Sequence, residues 1–366
     1  MTLSLFSPIR IGDLDFPNRI AVSPMCQYSA DDGAASDWHL QHWMTLAMSG
    51  AGMVTVEMTD VERRGRISHG CHGLYSDACE AGARRTLDAA RRVAAPGTKF
   101  GVQLAHAGRK ASCHRPWEGG GPLQPGEDPW PTVSASAIPF ADGWHTPAAL
   151  DADGIAALVG HFAEAARRAE RAGFDFIELH SAHGYLLNQF LSPLSNRRSD
   201  GYGGSLANRL RLPLAIVAAI RAAVPGMMLG ARLSVTEWVE GGLAVEDGVA
   251  IAAAYRDAGV AYVCASSGGN SPHQKVPTGP GYQVHLAEAV RRGAGVATRA
   301  VGLIDDPRQA DEIVASGRAD MVALGRAFLA DPRWAWRAAA TLGHDFTPPP
   351  QYARAAALPR KWAEAA

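Results

Sequence analysis

The sequence predicts an α/β protein: a (β/α)8 TIM barrel with a lid inserted after its third strand and a C-terminal tail. From residue 19 onward, short β-rich runs alternate with helical patterns, which requires parallel strands joined by helices. The β-rich runs number eight, the count that closes a barrel.

The strand runs fall at 19–25, 53–58, 99–104, 174–179, 228–233, 260–265, 295–301 and 319–324. A helix over 38–49 follows the first, and another begins near Asp77 after the second. An Ala-rich helix stops at Gly173 before the fourth strand, and a further helix stops near Pro225 and Gly226 before the fifth, both with helix-terminating residues. Helices starting at Val245, His285 and Asp306 fill the later gaps. Residues 111–147, dense in Pro, Gly and Trp, are too long for a simple connector. They read as a lid ordered by burial of Trp117 and Trp130. Residues 348–366 have no barrel element to join and form a tail suited to docking on a neighbouring subunit.

At 366 residues, 47% hydrophobic and 19% charged, the chain can bury a large core, and barrels with insertions reach this length as one domain spanning 1–366. With 35 Lys and Arg against 36 Asp and Glu, it lacks the basic footprint of a nucleic-acid or membrane-surface binder, so small molecules are the expected partners. No secretory signal or bilayer-spanning run is read, which makes the expected location cytoplasmic. Five cysteines without a C-x-x-C pair argue against a disulfide framework, a structural zinc site and an iron–sulfur cluster.

Barrel active sites are built at the carboxyl ends of the strands. There the first strand presents Ser23, Pro24, Met25, Cys26, Gln27 and Tyr28. The third presents Gln103 to His106, the fourth His180 to Tyr185, and the fifth carries Arg232. The seventh and eighth run into Gly302 and into Gly325-Arg326, where barrels commonly hold a phosphate on backbone N–H groups. His180 and His183 admit two readings. They are metal ligands, with Glu178 or His106 as a third, or they are hydrogen-bond donors to an oxygen that gains charge during reaction. No lysine lies in the sixth strand, which disfavours a Schiff-base aldolase, while Lys110 beyond the third strand stays open. No G-x-G-x-x-G fingerprint accompanies a strand, so no Rossmann domain is expected.

The segments LFSP (5–8), PNRI (17–20), SPMCQY (23–28), QLAHAGRK (103–110), HSAHGY (180–185) and FLSPLSNRRSDGYGGSLANR (190–209) resemble the old yellow enzyme family. Within it, they are similar to the bacterial thermophilic-like ene-reductases and xenobiotic reductases. The resemblance implies an FMN-dependent oxidoreductase that takes hydride from NADPH or NADH and reduces activated C=C bonds of enones, with nitro compounds as a second acceptor class, by ping-pong kinetics. It implies no resident metal. Ser23, Pro24, Met25, Cys26 and Met58 would line the flavin, Gln103 would bind its pyrimidine edge, and Arg232 would lie near N1. Gly302, Gly325 and Arg326 would hold its phosphate. His180 and His183 would bind the substrate carbonyl, Tyr185 would donate the proton, Cys26 would tune the flavin, and Tyr28 would contact substrate. Arg354, in a Tyr-x-Arg segment, would enter a neighbouring subunit's site in a homodimer or homotetramer.

Three departures stand out. Met58 and Arg299 replace residues that are usually small, and lid and tail resemble different subgroups; Arg299, close to the expected phosphate site, either adds a phosphate contact or points away. A non-redox, metal-dependent barrel aldolase or isomerase is the alternative from another class. A barrel that merely stores flavin is a third reading.

Overall fold

The computed structural model describes residues 4–355 and residue 361. Among them, eight strands form a closed parallel barrel: β1 (Ile20–Val22), β2 (Met53–Asp60), β3 (Lys99–Ala105), β4 (Phe176–Ser181), β5 (Met228–Ser234), β6 (Tyr262–Ser266), β7 (Ala297–Ala300) and β8 (Met321–Leu324). They pair in sequence order and β8 closes on β1. Outside lie α1 (Asp37–Ala47), α2 (Asp77–Val93), α3 (Ala152–Ala172), α4 (Arg211–Ala223), α5 (Val245–Asp257), α6 (Val284–Ala294), α7 (Pro307–Ala315) and α8 (Trp334–Thr341).

The helix ends follow local chemistry. Asp151 caps α3 by accepting the Gly154 N–H at 2.8 Å, and Gly173 ends it at φ +97°, which costs glycine little. Ser76 likewise caps α2, with Asp77 and Glu80 in its first turn and Arg91 and Arg92 in its last, as the helix dipole favours. Inside the barrel, large rings fill the space that glycines on the neighbouring strand leave. A Cβ on Gly101 would lie 2.0 Å from the Phe176 ring, and one on Gly230 would lie 2.1 Å from Tyr262. A hairpin of Ile9–Ile11 and Leu14–Phe16, which the alternation from residue 19 does not include, plugs the floor by packing Ile11 and Phe16 against Phe176, Met228 and Tyr262.

The first strand is shorter than the expected 19–25, because the chain leaves the sheet after Val22, ahead of Pro24. The second runs on to Asp60 through a bulge between Val56 and Met58. The bulge turns Met58 and Asp60 to the barrel's inner face, opposite Gln103 and Ala105 of β3.

Segment 111–147 is tied down by backbone bonds, with Cys113 N–H to Ile67 O at 2.8 Å, and by Arg115 Nε donating to Tyr28 O at 3.0 Å. Trp130 donates its indole N–H to Arg64 O at 3.0 Å. The expected burial of Trp117 is corrected: its side sits on the short 3-10 turn Pro116–Glu118 and is 66% exposed, meeting Tyr28 edge-on at 5.8 Å. Backbone bonds, rather than indole burial, order that end of the segment. The start of the tail forms a 3-10 turn, Pro350–Ala355, with Tyr352 against Trp336 at 5.9 Å and under the Arg333 guanidinium at 4.6 Å. Residues 356–360 and 362–366 of the expected tail lie outside the described residues. Among the described residues, no helix is long and apolar enough to cross a membrane.

Candidate active site

A cavity of about 880 Å³ opens at the carboxyl ends of the strands. Of the residues singled out in the sequence, Ser23, Pro24, Met25, His183, Arg232, Gly302, Gly325 and Arg326 line it. Two polar atoms in this wall are buried without a hydrogen-bond partner, Ser23 Oγ and Arg232 Nε. Buried donors left unpaired cost free energy, so both suit a polar ligand that would satisfy them. At the other side, Gly302 has φ +121°, and a Cβ there would lie 2.9 Å from Gln283 Nε2. Glycine is therefore required, and the Gly302 and Gly325 backbones with Arg326 form a cradle suited to a phosphate.

The two histidines meet as expected. His180 ends β4 beside Arg232 of β5, and its Nδ1 accepts the Ala182 N–H at 3.2 Å, which leaves the ring proton on Nε2. His183 is held in the left-handed region at φ +62° by its N–H to Ser234 Oγ, 2.9 Å, and Nε2 pairs with Ser266 Oγ at 2.8 Å. A Cβ on the next residue, Gly184, would sit 2.2 Å from Gly269 O, so this turn admits only glycine. The rings stand edge-on, 5.1 Å between centroids. Burial, and then Arg232 and Lys110, push both imidazoles well below their ordinary pKa, so they are neutral donors near pH 7.

Tyr185 stands edge-on to His180 at 4.9 Å. Burial and the nearby Cys26, Cys71 and Asp60 hold its phenol well above its usual pKa, so it keeps its proton. Cys26, Tyr28 and Tyr185 pack around an apolar group that includes Met58, Cys71, Ala105 and Cys113. Burial and neighbouring acidic groups likewise keep the Cys26 thiol protonated. Gln103 lies on β3 beneath this level and is buried.

The metal reading loses its third ligand. Glu178 turns to Gln103, Tyr262 and Arg299, and His106 Nε2 pairs with Glu62 at 2.9 Å. Among the described residues no three His, Cys, Asp or Glu side chains gather as a metal-binding group. Of the two readings of Arg299, the structure shows the second: it points away from the phosphate cradle into the barrel, fully buried, to Glu178, Thr55 and Met53. Arg354 is exposed beside Tyr352, near Trp336, which bonds Met48 O at the end of α1 and hence at the amino ends of the strands. It is not brought to this chain's cavity.

Two further polar residues lie next to the site: Lys110, which the sequence left open, and Asp60, which it did not single out. Lys110 is half-buried and donates from Nζ to His183 O and Gly269 O, both at 2.9 Å, with Nζ 5.1 Å from the Tyr185 ring. Burial, and then Arg109, push its pKa down to about 8. Its sequence signal was the QLAHAGRK motif itself, but not the direction in which the side chain folds back. Asp60, fully buried at the end of β2, has neither carboxyl oxygen hydrogen-bonded, and burial drives its pKa well up.

A family model described as the NADH:flavin oxidoreductase / NADH oxidase family matches residues 4–345. The chain is 42% identical over 353 residues to an NADPH dehydrogenase of Listeria innocua, covering 96% of this chain and 98% of that one. It is 43% identical over 356 residues to an NADPH dehydrogenase of a Geobacillus strain, covering 97% and 99%. Among solved structures it is similar to morphinone reductase in complex with tetrahydroNAD, with a TM-score of 0.75 and 29% identity over 95% of this chain and 93% of that one.

Proposed function

Because the chain belongs to the NADH:flavin oxidoreductase / NADH oxidase family, in which the old yellow enzymes fall, we propose that it is an FMN-dependent ene-reductase. Its hydride donor is NADPH or NADH and its acceptor an activated C=C bond. The observation that carries this reading is the convergence of His180, His183 and Tyr185 beside a cavity with unpaired buried donors at Ser23 and Arg232.

The residues present fit FMN. Gly302, Gly325 and Arg326 would receive its phosphate, Ser23, Pro24 and Met25 would line the ring system, and Arg232 would place positive charge near N1. Cys26 and Met58 would flank the ring, and Gln103 would bind its pyrimidine edge. The chemistry FMN supplies when bound is two-electron hydride transfer, first from the nicotinamide and then to the electrophilic carbon of the acceptor.

The protein's own part is binding and proton management. Neutral His180 and His183 donate hydrogen bonds to the acceptor's carbonyl oxygen, which becomes negative as hydride reaches the β-carbon. Tyr185, which keeps its proton, gives it to the α-carbon. Lys110 holds the His183 turn through two backbone carbonyls. Tyr28, under the exposed Trp117, forms the outer wall for substrate. The barrel works as one domain with 111–147 as lid, and Arg354 reaches a neighbouring subunit's site in a homo-oligomer.

One pocket serving both nicotinamide and acceptor requires ping-pong kinetics. Steady-state initial rates with NADPH and cyclohexenone test this. Parallel double-reciprocal lines are expected, and intersecting lines would refute a shared pocket.

A further inference from the structure

Beneath the site lies a polar cluster in the dry interior of the barrel. Glu178, Arg299, Tyr262 and Gln103 are 0%, 0%, 1% and 2% exposed. Glu178 Oε1 accepts Gln103 Nε2–H at 2.8 Å, and Glu178 Oε2 accepts the Tyr262 hydroxyl at 2.9 Å as well as Arg299 Nη2. Arg299 Nη1 also donates to Thr55 Oγ1 at 3.2 Å, the Tyr262 ring lies 5.0 Å from its guanidinium, and Nε is buried without a hydrogen-bond partner.

The register explains the meeting. Gln103 lies directly opposite Glu178 in the β3–β4 pair, and Glu178 is two residues before His180, on the same inner face and one layer deeper. Buried polar atoms need partners, and Glu178 finds them on both oxygens: Gln103 donates to Oε1, and Tyr262 and Arg299 donate to Oε2. An acceptor here dictates one of the two amide orientations of Gln103: the flipped amide would set oxygen against carboxylate oxygen.

We propose that Glu178, held by Arg299 and Tyr262, is a positioning residue for cofactor binding: it commits the nitrogen end of Gln103 to the barrel interior and so leaves the amide oxygen as the acceptor for the N3–H of the FMN pyrimidine ring. This rests on the flavin reading above. It also gives Arg299, at a position where the resembling enzymes carry a small residue, a task distinct from phosphate binding.

The test compares FMN dissociation constants, measured on diluted holoenzyme from released flavin fluorescence, in a double-mutant cycle of Glu178→Gln and Gln103→Ala. In Glu178→Gln the new amide keeps its oxygen on the Arg299 and Tyr262 donors and turns its NH2 to Gln103, which favours the flipped Gln103 amide and should weaken FMN binding about 10- to 100-fold, the population cost of an orientation disfavoured by about one hydrogen bond to a charged group. In the Gln103→Ala background the same substitution should change it less than about 3-fold. Glu178→Gln alone also leaves the Arg299 cation uncompensated, which should move the bound flavin's midpoint potential to a more positive value. Glu178→Gln/Arg299→Met removes both charges, guards against misfolding from a lone buried cation, and should restore the potential but not the affinity. Wild-type FMN affinity in Glu178→Gln, or an equal loss in the Gln103→Ala background, overturns the positioning role while leaving the flavin reading intact. A wild-type protein that takes up no FMN overturns the flavin reading itself.

Discussion

Tyr185→Phe removes one oxygen and leaves the ring in place. The edge-on contact to His180 at 4.9 Å and the Lys110 ammonium at 5.1 Å both involve the ring rather than the hydroxyl, so packing around the site should survive. What is lost is the proton donor. General acids contribute about 10²- to 10⁴-fold, and water entering the mouth can replace a phenol in part, so a loss of about 10²-fold, roughly 2.7 kcal/mol of barrier, is expected. The loss should fall on one half-reaction only, because taking hydride from the nicotinamide needs no proton from Tyr185. Burial holds the phenol's pKa well above its usual value, so the wild-type acceptor step should also be flat with pH across the neutral range. Anaerobic stopped-flow spectroscopy separates the halves: flavin bleaching by NADPH, then recovery of colour on mixing with cyclohexenone. Equal slowing of both halves, or an unchanged recovery rate, would refute Tyr185 as the acid.

Replacing His180 and His183 together by Ala should leave FMN bound, since its proposed contacts lie elsewhere, while enone reduction falls by between about 10²-fold, if the two donors act as a unit, and about 10⁴-fold, if they add, each donor being worth about 3 kcal/mol; flavin content and turnover of the purified variant check both. Arg354→Ala should raise KM for nicotinamide or enone with flavin content unchanged, and light scattering should give a dimer or tetramer; a monomer with unchanged KM values removes the shared site. Asp60→Ala should stabilise the protein at neutral pH by about 1–3 kcal/mol, the cost of an unsatisfied buried polar group. The folded state holds the Asp60 proton more tightly than the unfolded chain, so its contribution is present below the unfolded pKa of about 4 and is lost as pH rises. Urea unfolding at several pH values should show a shallower fall in stability above pH ~4 for Asp60→Ala than for wild type.

The barrel was legible because parallel strands and their helices write themselves in period and punctuation: Gly173 ends α3, and Asp77 opens α2, as the sequence indicates. The strand-end rule pointed to Ser23, His183, Arg232 and Gly302, which line the cavity, because each lies within a strand or a few residues beyond it. Long side chains were harder, since their direction depends on partners distant in sequence. Arg299 reads as a residue near a phosphate until strand alternation sets it on the inner face, where Glu178, from three strands away, supplies its counter-charge. Asp60 was hidden by the bulge. A strict alternation from Met53 would turn Glu57 inward and Asp60 outward, whereas the bulge sends Glu57 to His39 at 2.9 Å and Trp43 at 3.1 Å and brings Asp60 inside. Trp117 misled because indoles are usually buried, and here backbone bonds do the anchoring.

The most direct test of the central claim is the flavin itself. The protein purified from cells, or refilled with FMN, should release one FMN per chain on denaturation, and before denaturation its yellow colour should bleach with NADPH or NADH under anaerobic conditions and return on adding an enone. A chain that holds no FMN, or holds it in a form that neither nicotinamide bleaches, would contradict the account.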